Sequence, residues 1–445
     1  MNQPTPVARH SVAVIGAGQA GLSISWHLKN SGIDHVVFEK ERAGHVWRAE
    51  RWDTFCLVTP NWQCQLPGFG YQGNDPNGFM VRDQIVAYLR SYARSFGPPL
   101  VEGVSATRLR QEASGAFAIE TSAGRLTADQ VVLATGPYQV PLRPRLADRL
   151  PEDLVQLHSS QYRTPDQLPA GEVLVVGTGQ SGCQIAEDLH LAGRRVHLSV
   201  GSAPRVARTY RGRDVVAWLE DMGYYAKSIG EFADADAVRF RANHYVTGRD
   251  GGHDIDLRQF AREGMGLYGR LLDVRRGQLS FDTDLAKNLD AADAVSEGIK
   301  DSIDAYLTSA GIAAPAEARY EPVWQPDEEQ TELDLAGSGI TSVVWSTGFG
   351  RDHRWIDVPV FDGRGYPTHL RGVTSCPGLY FLGLPWQHTW GSGRFCGVAT
   401  DARYLADQVV SLRLNGGGHD VPWLAGTPAS TYPSDDDWIA PRTVA

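Results

Sequence analysis

The feature that most constrains this chain is a turn that occurs twice. Gly16-Ala17-Gly18-Gln19-Ala20-Gly21 and Gly177-Thr178-Gly179-Gln180-Ser181-Gly182 both have GxGxxG spacing. Each sits between a short apolar run and a helical pattern. The first follows SVAVI at 11–15 and leads into AGLSISWHLKNS at 20–31, then DHVVFE at 34–39. The second follows EVLVV and leads into CQIAEDLHLAG and RRVHLSV, all between 172 and 200. Strand, glycine turn, helix and strand form the unit of a parallel sheet covered by helices. In such a turn the first glycine permits the tight bend and the second lets backbone approach a pyrophosphate. The third lets helix and sheet pack closely. The helix N-terminus presents unpaired N–H groups to the phosphates. Gly16, Gly18 and Gly21 are thus expected to hold one dinucleotide, and Gly177, Gly179 and Gly182 another.

The strand downstream of each turn distinguishes the two sites. Glu39 closes the strand after the first, where a carboxylate can bind a ribose diol; the alternative is an acid at a solvated strand end. The strand after the second ends in Leu198-Ser199-Val200, with Arg205 and Arg208 nearby. Arginine can grip a 2'-phosphate that an acid would repel, which favours NADPH over NADH. Arg194 and Arg195 read equally as solvated charges. Two nucleotide sites in one chain imply electron transfer between a bound flavin and a nicotinamide.

At 445 residues the chain is too long for one typical core, and two domains are expected. The reading is α/β, with two Rossmann-like dinucleotide-binding domains and the NADPH domain inserted into the FAD domain. Residues 1–160 and 331–414 form the FAD-binding domain, because VVWSTGFG at 343–350 reads as a returning strand. Residues 161–330 form the NADPH-binding domain with a helical insertion, and 415–445 an irregular tail. Residues 82–96 read as a helix, 116–133 as a small antiparallel insertion and 397–414 as a last helix. Further helical segments are expected near 212–222, 255–272 and 291–309.

A net charge of -10 disfavours a nucleic-acid partner, since a duplex binder needs a basic face. Five cysteines without a CxxC pair argue against a disulfide framework and against a dithiol reductase. The N-terminal MNQPTPVARH lacks a signal-peptide core, and no apolar run is long enough to span a membrane. A cytoplasmic protein is expected. The oligomeric state is left open, a homo-oligomer included. No compact His, Cys or acid spacing points to a metal.

These markers resemble those of the flavin-containing monooxygenases, the class B flavoprotein monooxygenases, over roughly 10–410. GAGQAGL, GTGQSG, LATG at 133–136, STGF at 346–349 and GLYFLGL at 378–384 carry the resemblance. It implies FAD on the first turn and NADPH on the second. It also implies that reduced flavin captures O2 as a C4a-peroxide and passes one oxygen atom to a substrate. HSSQY at 158–162 resembles the family's linker between nucleotide domains, which makes His158 and Tyr162 candidates; a linker histidine satisfying a carbonyl is the alternative. Gly44-His45-Val46-Trp47 resembles the GGxW segment near the flavin, so Trp47 packs on the cofactor or simply fills core. WDTFCLVTPNWQCQLP at 52–67 resembles the segment near the flavin's reactive face. Val58 stands where many members have asparagine, and Asn61 and Gln63 are candidate substitutes; otherwise they are turn-forming residues beside Pro60. NWQCQLPGFGY, NHYVTGRDGG and GLPWQHTWGSGRF resemble a bacterial branch associated with nitrilase gene clusters, which points to a nitrogen-containing substrate.

Within 384–396, LPWQHTWGSGRFC, the residues Trp386, His388, Trp390 and Arg394 come after a sheet strand, where open parallel sheets bind ligands. His388 is a candidate proton-transfer group, since free histidine titrates near neutrality; the alternative is a bond to a loop carbonyl. His244, Tyr245, Arg249, His253, Asp254 and Arg258 form a dense polar group that covers the ligand or merely braces a loop. The expected activity is an FAD-dependent, NADPH-consuming monooxygenase acting on a small molecule and O2, with Asn61 and His388 at the substrate. A flavin oxidoreductase or oxidase without oxygen insertion is the alternative, and a cofactor-binding sensor or interaction protein a further one.

Overall fold

The computed structural model describes residues 8–414, so the tail expected at 415–445 lies outside the described residues. The strand Ala8–Ile15 runs into Gly16, and the helix Gln19–Asn30 returns the chain to the parallel strand His35–Glu39. Strand alternation sorts the side chains onto two faces. Val12 and Val14 enter one apolar cluster with Leu22, Ile24 and Leu28, while Ala13 and Ile15 enter another with Phe38 and Val131. A parallel strand covered on both faces must be apolar, as the buried half of this one, Val12 to Ile15, is.

On its other edge Ala8–Ile15 pairs in parallel with Gly124–Leu133. That long strand meets Phe117–Thr121 antiparallel at its start and Leu379–Phe381 parallel at its end. The expected antiparallel insertion is present as Ala106–Gln111, Phe117–Thr121 and Gly124–Leu133. The helix Val398–Leu414 packs on Gln19–Asn30 through Val398, Leu405 and Val409. Residues near the far end of the chain therefore complete the unit that carries the first glycine turn.

The second sheet is parallel throughout, in the order Val155–His158, Ile340–Trp345, Glu172–Val176, Val196–Ser199, Gly266–Tyr268. Its membership corrects the expected boundaries. Val155–His158 and Ile340–Trp345 belong here, not with the first sheet, which the chain rejoins at Ile356–Asp357. VVW is buried on both faces, so its pattern cannot say which of two parallel sheets it enters. The expected helix at 255–272 also ends early, as Leu257–Arg262. Gly264, at φ +101°, turns the chain into the strand Gly266–Tyr268. The helices Val215–Asp221 and Leu285–Ala310 form where the pattern predicts them. Among the described residues no helix is long and apolar enough to cross a membrane.

Candidate functional site

The glycines of each turn divide by what a side chain would meet. A Cβ on Gly16 would lie 2.4 Å from the Ala134 carbonyl oxygen, and one on Gly21 1.8 Å from the Gly16 oxygen. In the second turn, Gly177 would meet the Ser346 oxygen at 2.7 Å and Gly182 the Gly177 oxygen at 1.9 Å. Gly16 and Gly177 also take φ of +106° and +101°, which L side chains avoid. The fold itself therefore requires these four. Gly18 and Gly179 differ: a Cβ there meets nothing within 4 Å. Both precede a helix N-terminus, at Gln19 and Gln180, where unpaired N–H groups favour an anion. This is the shape a pyrophosphate needs. Beside the first turn, Glu39 accepts the Ala17 N–H at 2.8 Å and the Glu41 N–H at 3.0 Å. Its carboxylate is fixed and half-buried, with lone pairs left for ribose hydroxyls. These residues fit FAD on the first turn and a second dinucleotide on the other.

The 384–397 loop folds over the first turn. Gln19 donates from Nε2 to the Gly393 oxygen at 2.8 Å, and its Oε1 accepts from Trp47 Nε1 at 3.2 Å. Trp47 also stacks on Phe395, centroids 5.6 Å apart. Thus Trp47 fills core and touches the turn at once. Ser392 Oγ accepts the N–H groups of His388 and Thr389, and the His388 oxygen accepts from Ile229 N–H at 2.6 Å. His388 is half-buried, and desolvation and Arg371 lower its pKa.

Asp401, in the first turn of the last helix, lies buried beside Ser392 of this loop. Burial pushes its carboxyl up to about 6. The folded chain thus keeps a proton that an unfolded aspartate loses near pH 4, and stability falls as pH rises from roughly 4 through 6. Asp401→Asn is expected to raise stability at pH 8 by about 2–3 kcal/mol and to change little at pH 4, as urea unfolding at the two pH values will show.

The segment near the expected reactive face is held from several directions. Asn61 donates from Nδ2 to the Asp75 oxygen and accepts from Met80 N–H at 2.8 Å. Both ends of its amide serve the backbone, as the turn-forming alternative holds. Gln63, in the same one-turn helix, is also buried, but neither amide atom has a partner. A cleft of about 480 Å³ opens alongside, lined in part by Pro60, Trp62, Asp214, Glu220 and Asp221. Arg208 donates to the Val58 oxygen at 2.8 Å, pairs with Asp214 and lies over the Phe79 ring. Arg205 pairs with Asp293 at 3.0 Å and stacks on Tyr320. At 4% and 2% exposure, Arg205 and Arg208 are spent on internal partners. The expectation that they grip a 2'-phosphate finds no support in this geometry.

A polar seam joins the two units. Asp188, buried on the helix that leaves the second turn, accepts from Tyr162 Oη at 2.7 Å, Thr54 Oγ1 at 2.6 Å and Arg249 at 2.8 Å. Its neighbour Glu187 accepts from His253 at 2.7 Å. His158 meets Ser160 through Nδ1 and the Gly348 oxygen through Nε2, both at 2.9 Å, the role of a linker histidine. Of the dense polar group, Arg249 and His253 serve this seam, Asp254 accepts the Arg208 N–H, and Arg258 pairs with Asp290 and Asp293. Those four brace the structure. Sequence reasoning missed Gln19, Asp188 and Asp401. Gln19 lies inside the recognised turn, and an acid in the middle of an apolar helix was the available signal for Asp188.

Known proteins match this arrangement. The pyridine nucleotide-disulphide oxidoreductase family model matches residues 13–248. An "uncharacterized oxidoreductase CzcO-like" of Geobacillus kaustophilus is 34% identical over 408 residues, covering 90% of this chain and 98% of its own. A flavin-containing monooxygenase from Stenotrophomonas maltophilia superposes with a TM-score of 0.62 at 18% identity, over 92% of this chain and 100% of its own. An ornithine N-hydroxylase from Kutzneria sp. 744, with reduced FAD, NADP+ and L-ornithine, gives 0.59 at 16% identity over 92% and 100%.

Proposed function

The chain belongs to the pyridine nucleotide-disulphide oxidoreductase family and is an FAD- and NADPH-dependent flavoprotein oxidoreductase, and from that premise we propose that it transfers one oxygen atom from O2 to a small, nitrogen-containing substrate. The observation that carries this reading is the pair of turns whose middle glycines face open space while their outer glycines are packed shut. Two dinucleotides held by one chain serve hydride transfer between them. The balance is NADPH, a proton, O2 and substrate in, and NADP+, water and oxygenated substrate out. Bound FAD supplies the hydride acceptor and the centre that activates O2.

The chain's own residues bind, orient and shield. Gly18 and Gly179 admit the phosphates, and Glu39 takes a ribose. Asp188, Tyr162 and Thr54 set one nucleotide unit against the other. Trp47 and Phe395 stack beside the first turn and keep water from it. The cleft by Trp62 offers an aromatic face with Glu220 beside the Arg213–Asp221 and Arg208–Asp214 pairs, a polar lining suited to a small amine. The N-hydroxylating neighbour from Kutzneria supports a nitrogen acceptor.

A second reading, a flavin oxidase or reductase without oxygen insertion, is favoured by Val58, an apolar residue where many flavin-containing monooxygenases carry an amide. One measurement separates the two. With an accepted amine and isotope-labelled O2, the first predicts a product one labelled oxygen heavier for each NADPH consumed. Hydrogen peroxide equal to the NADPH consumed, with unlabelled substrate, would establish the second.

A further inference from the structure

Arg51 is a cation ringed by aromatic side chains and left without a counter-ion. Its guanidinium carbon lies 5.5 Å from the centre of the Trp47 ring, 5.6 Å from Phe55 and 5.8 Å from Tyr138. Among the described residues it forms no ion pair, and its hydrogen bond runs from Nη1 to the Glu50 oxygen. Arg205, Arg208, Arg249 and Arg258 show the contrast, each with an aspartate. Arg163 stands close enough to repel Arg51, and it spends its own donors on the backbone oxygens of Ser160, Tyr162 and Ala49. Two neighbouring guanidiniums with no carboxylate bonded to either are unfavourable until an anion joins them.

The site is open to a ligand. Arg51 is only half-buried, and Tyr138, one wall of its cage, is 46% exposed. The cage also fixes where the guanidinium sits. Trp47 bonds Gln19, the first residue of the helix after the first turn. Tyr138 comes shortly after Ala134, whose oxygen backs Gly16, and its ring meets Phe349 at 5.2 Å. Phe349 comes shortly after Ser346, whose oxygen backs Gly177. Arg51 thus stands beyond the carboxyl ends of the strands that back both turns, where open parallel sheets take their ligands. A guanidinium edge with two parallel N–H donors matches two phosphate oxygens at once.

We propose that Arg51 is a phosphate-binding residue, its Nε and Nη2 donating to the diphosphate of a dinucleotide held by the glycine turns. This rests on the reading that dinucleotides occupy those turns. The aromatic cage holds the guanidinium in place before the ligand arrives, so little order is lost when the bonds form.

The test uses the full chain, with FAD titrated into the apoprotein and NADP+ into the flavin-loaded protein. Arg51→Met keeps an apolar stem among the rings and removes the charge. Its apoprotein is expected to melt at or above the wild-type temperature, since no ion pair is lost. Its affinity for one or both dinucleotides falls about ten- to a hundredfold, the effect of lost charge-assisted hydrogen bonds, and becomes less sensitive to salt. A fall for FAD assigns the flavin's diphosphate, and a fall for NADP+ that of the nicotinamide cofactor; either supports the proposal. Arg51→Lys, a point charge without the fork, recovers part of the loss. Should Arg51→Met fail to fold, Arg51→Lys decides: weaker dinucleotide binding supports the proposal and wild-type affinity overturns it. Unchanged affinity for both dinucleotides in Arg51→Met overturns it as well. So does a change confined to apoprotein melting, which would make Arg51 an aromatic brace, or to substrate KM. A wild-type chain that takes neither dinucleotide overturns the cofactor assignment instead, and this proposal with it.

Discussion

Gly18→Ala is expected to yield a protein that folds like the wild type and purifies without its flavin. The backbone at Gly18 has φ -75°, open to any residue, and an added methyl meets nothing within 4 Å. The fold thus loses almost nothing. The methyl instead occupies the space through which a pyrophosphate reaches the helix N-terminus. We expect FAD affinity to fall roughly a hundredfold, about 2.7 kcal/mol. Gly179→Ala is the matched experiment, since its φ is -60° and its surroundings are equally open. That variant keeps its flavin but needs about a hundredfold more NADPH to reduce it. Gly21→Ala is the contrasting control, because a Cβ 1.8 Å from the Gly16 oxygen must break the turn itself. Flavin content, melting temperature and anaerobic reduction by NADPH separate the three. A Gly18→Ala protein with full flavin content would contradict the assignment of the first turn.

The second large effect is expected at Asp188. It is 2% exposed and receives three side chains: Tyr162 from the linker, Thr54 from the first unit and Arg249 from the second. Asp188→Ala removes the shared acceptor and strands a wholly buried phenol. We expect a loss of about 3–5 kcal/mol, the range for breaking a buried charge pair. Asp188→Asn keeps one acceptor oxygen, for Tyr162 at one position or Thr54 at the other, and turns an amide N–H2 toward the remaining donor while losing the charge, so an intermediate loss of about 2 kcal/mol is expected there. Urea unfolding measures both. Flavin reduction by saturating NADPH adds a functional readout: in Asp188→Ala it slows even where the chain remains folded, because the two nucleotide units lose their fixed relation. An Asp188→Ala protein as stable as the wild type would show that the seam does not depend on this carboxylate.

The two turns were legible because their chemistry is local. Glycine spacing, the apolar run before it and the helix after it all lie within about thirty residues, and the backbone decides the outcome. Ile340–Trp345 was legible as a strand but not as a member of the second sheet, since both sheets bury both faces. Arg205 and Arg208 lie in the chain where a phosphate grip would be sought. Only the fold reveals Asp293, Tyr320 and Asp214 as their partners. The choice between Asn61 and Gln63 is of the same kind. It turns on a carbonyl at Asp75 and an N–H at Met80, and no local pattern announces that one amide is bonded and the other stranded.

The bond from Gln19 to the oxygen of Gly393 spans 374 positions. Its consequence falls on biosynthesis. A nascent chain displays the first glycine motif long before the loop that closes over it has been made. Long-range closure of this kind is slow. Flavin loading is therefore expected only once that loop has been made, and ribosome-stalled fragments ending before Gly393 should emerge colourless.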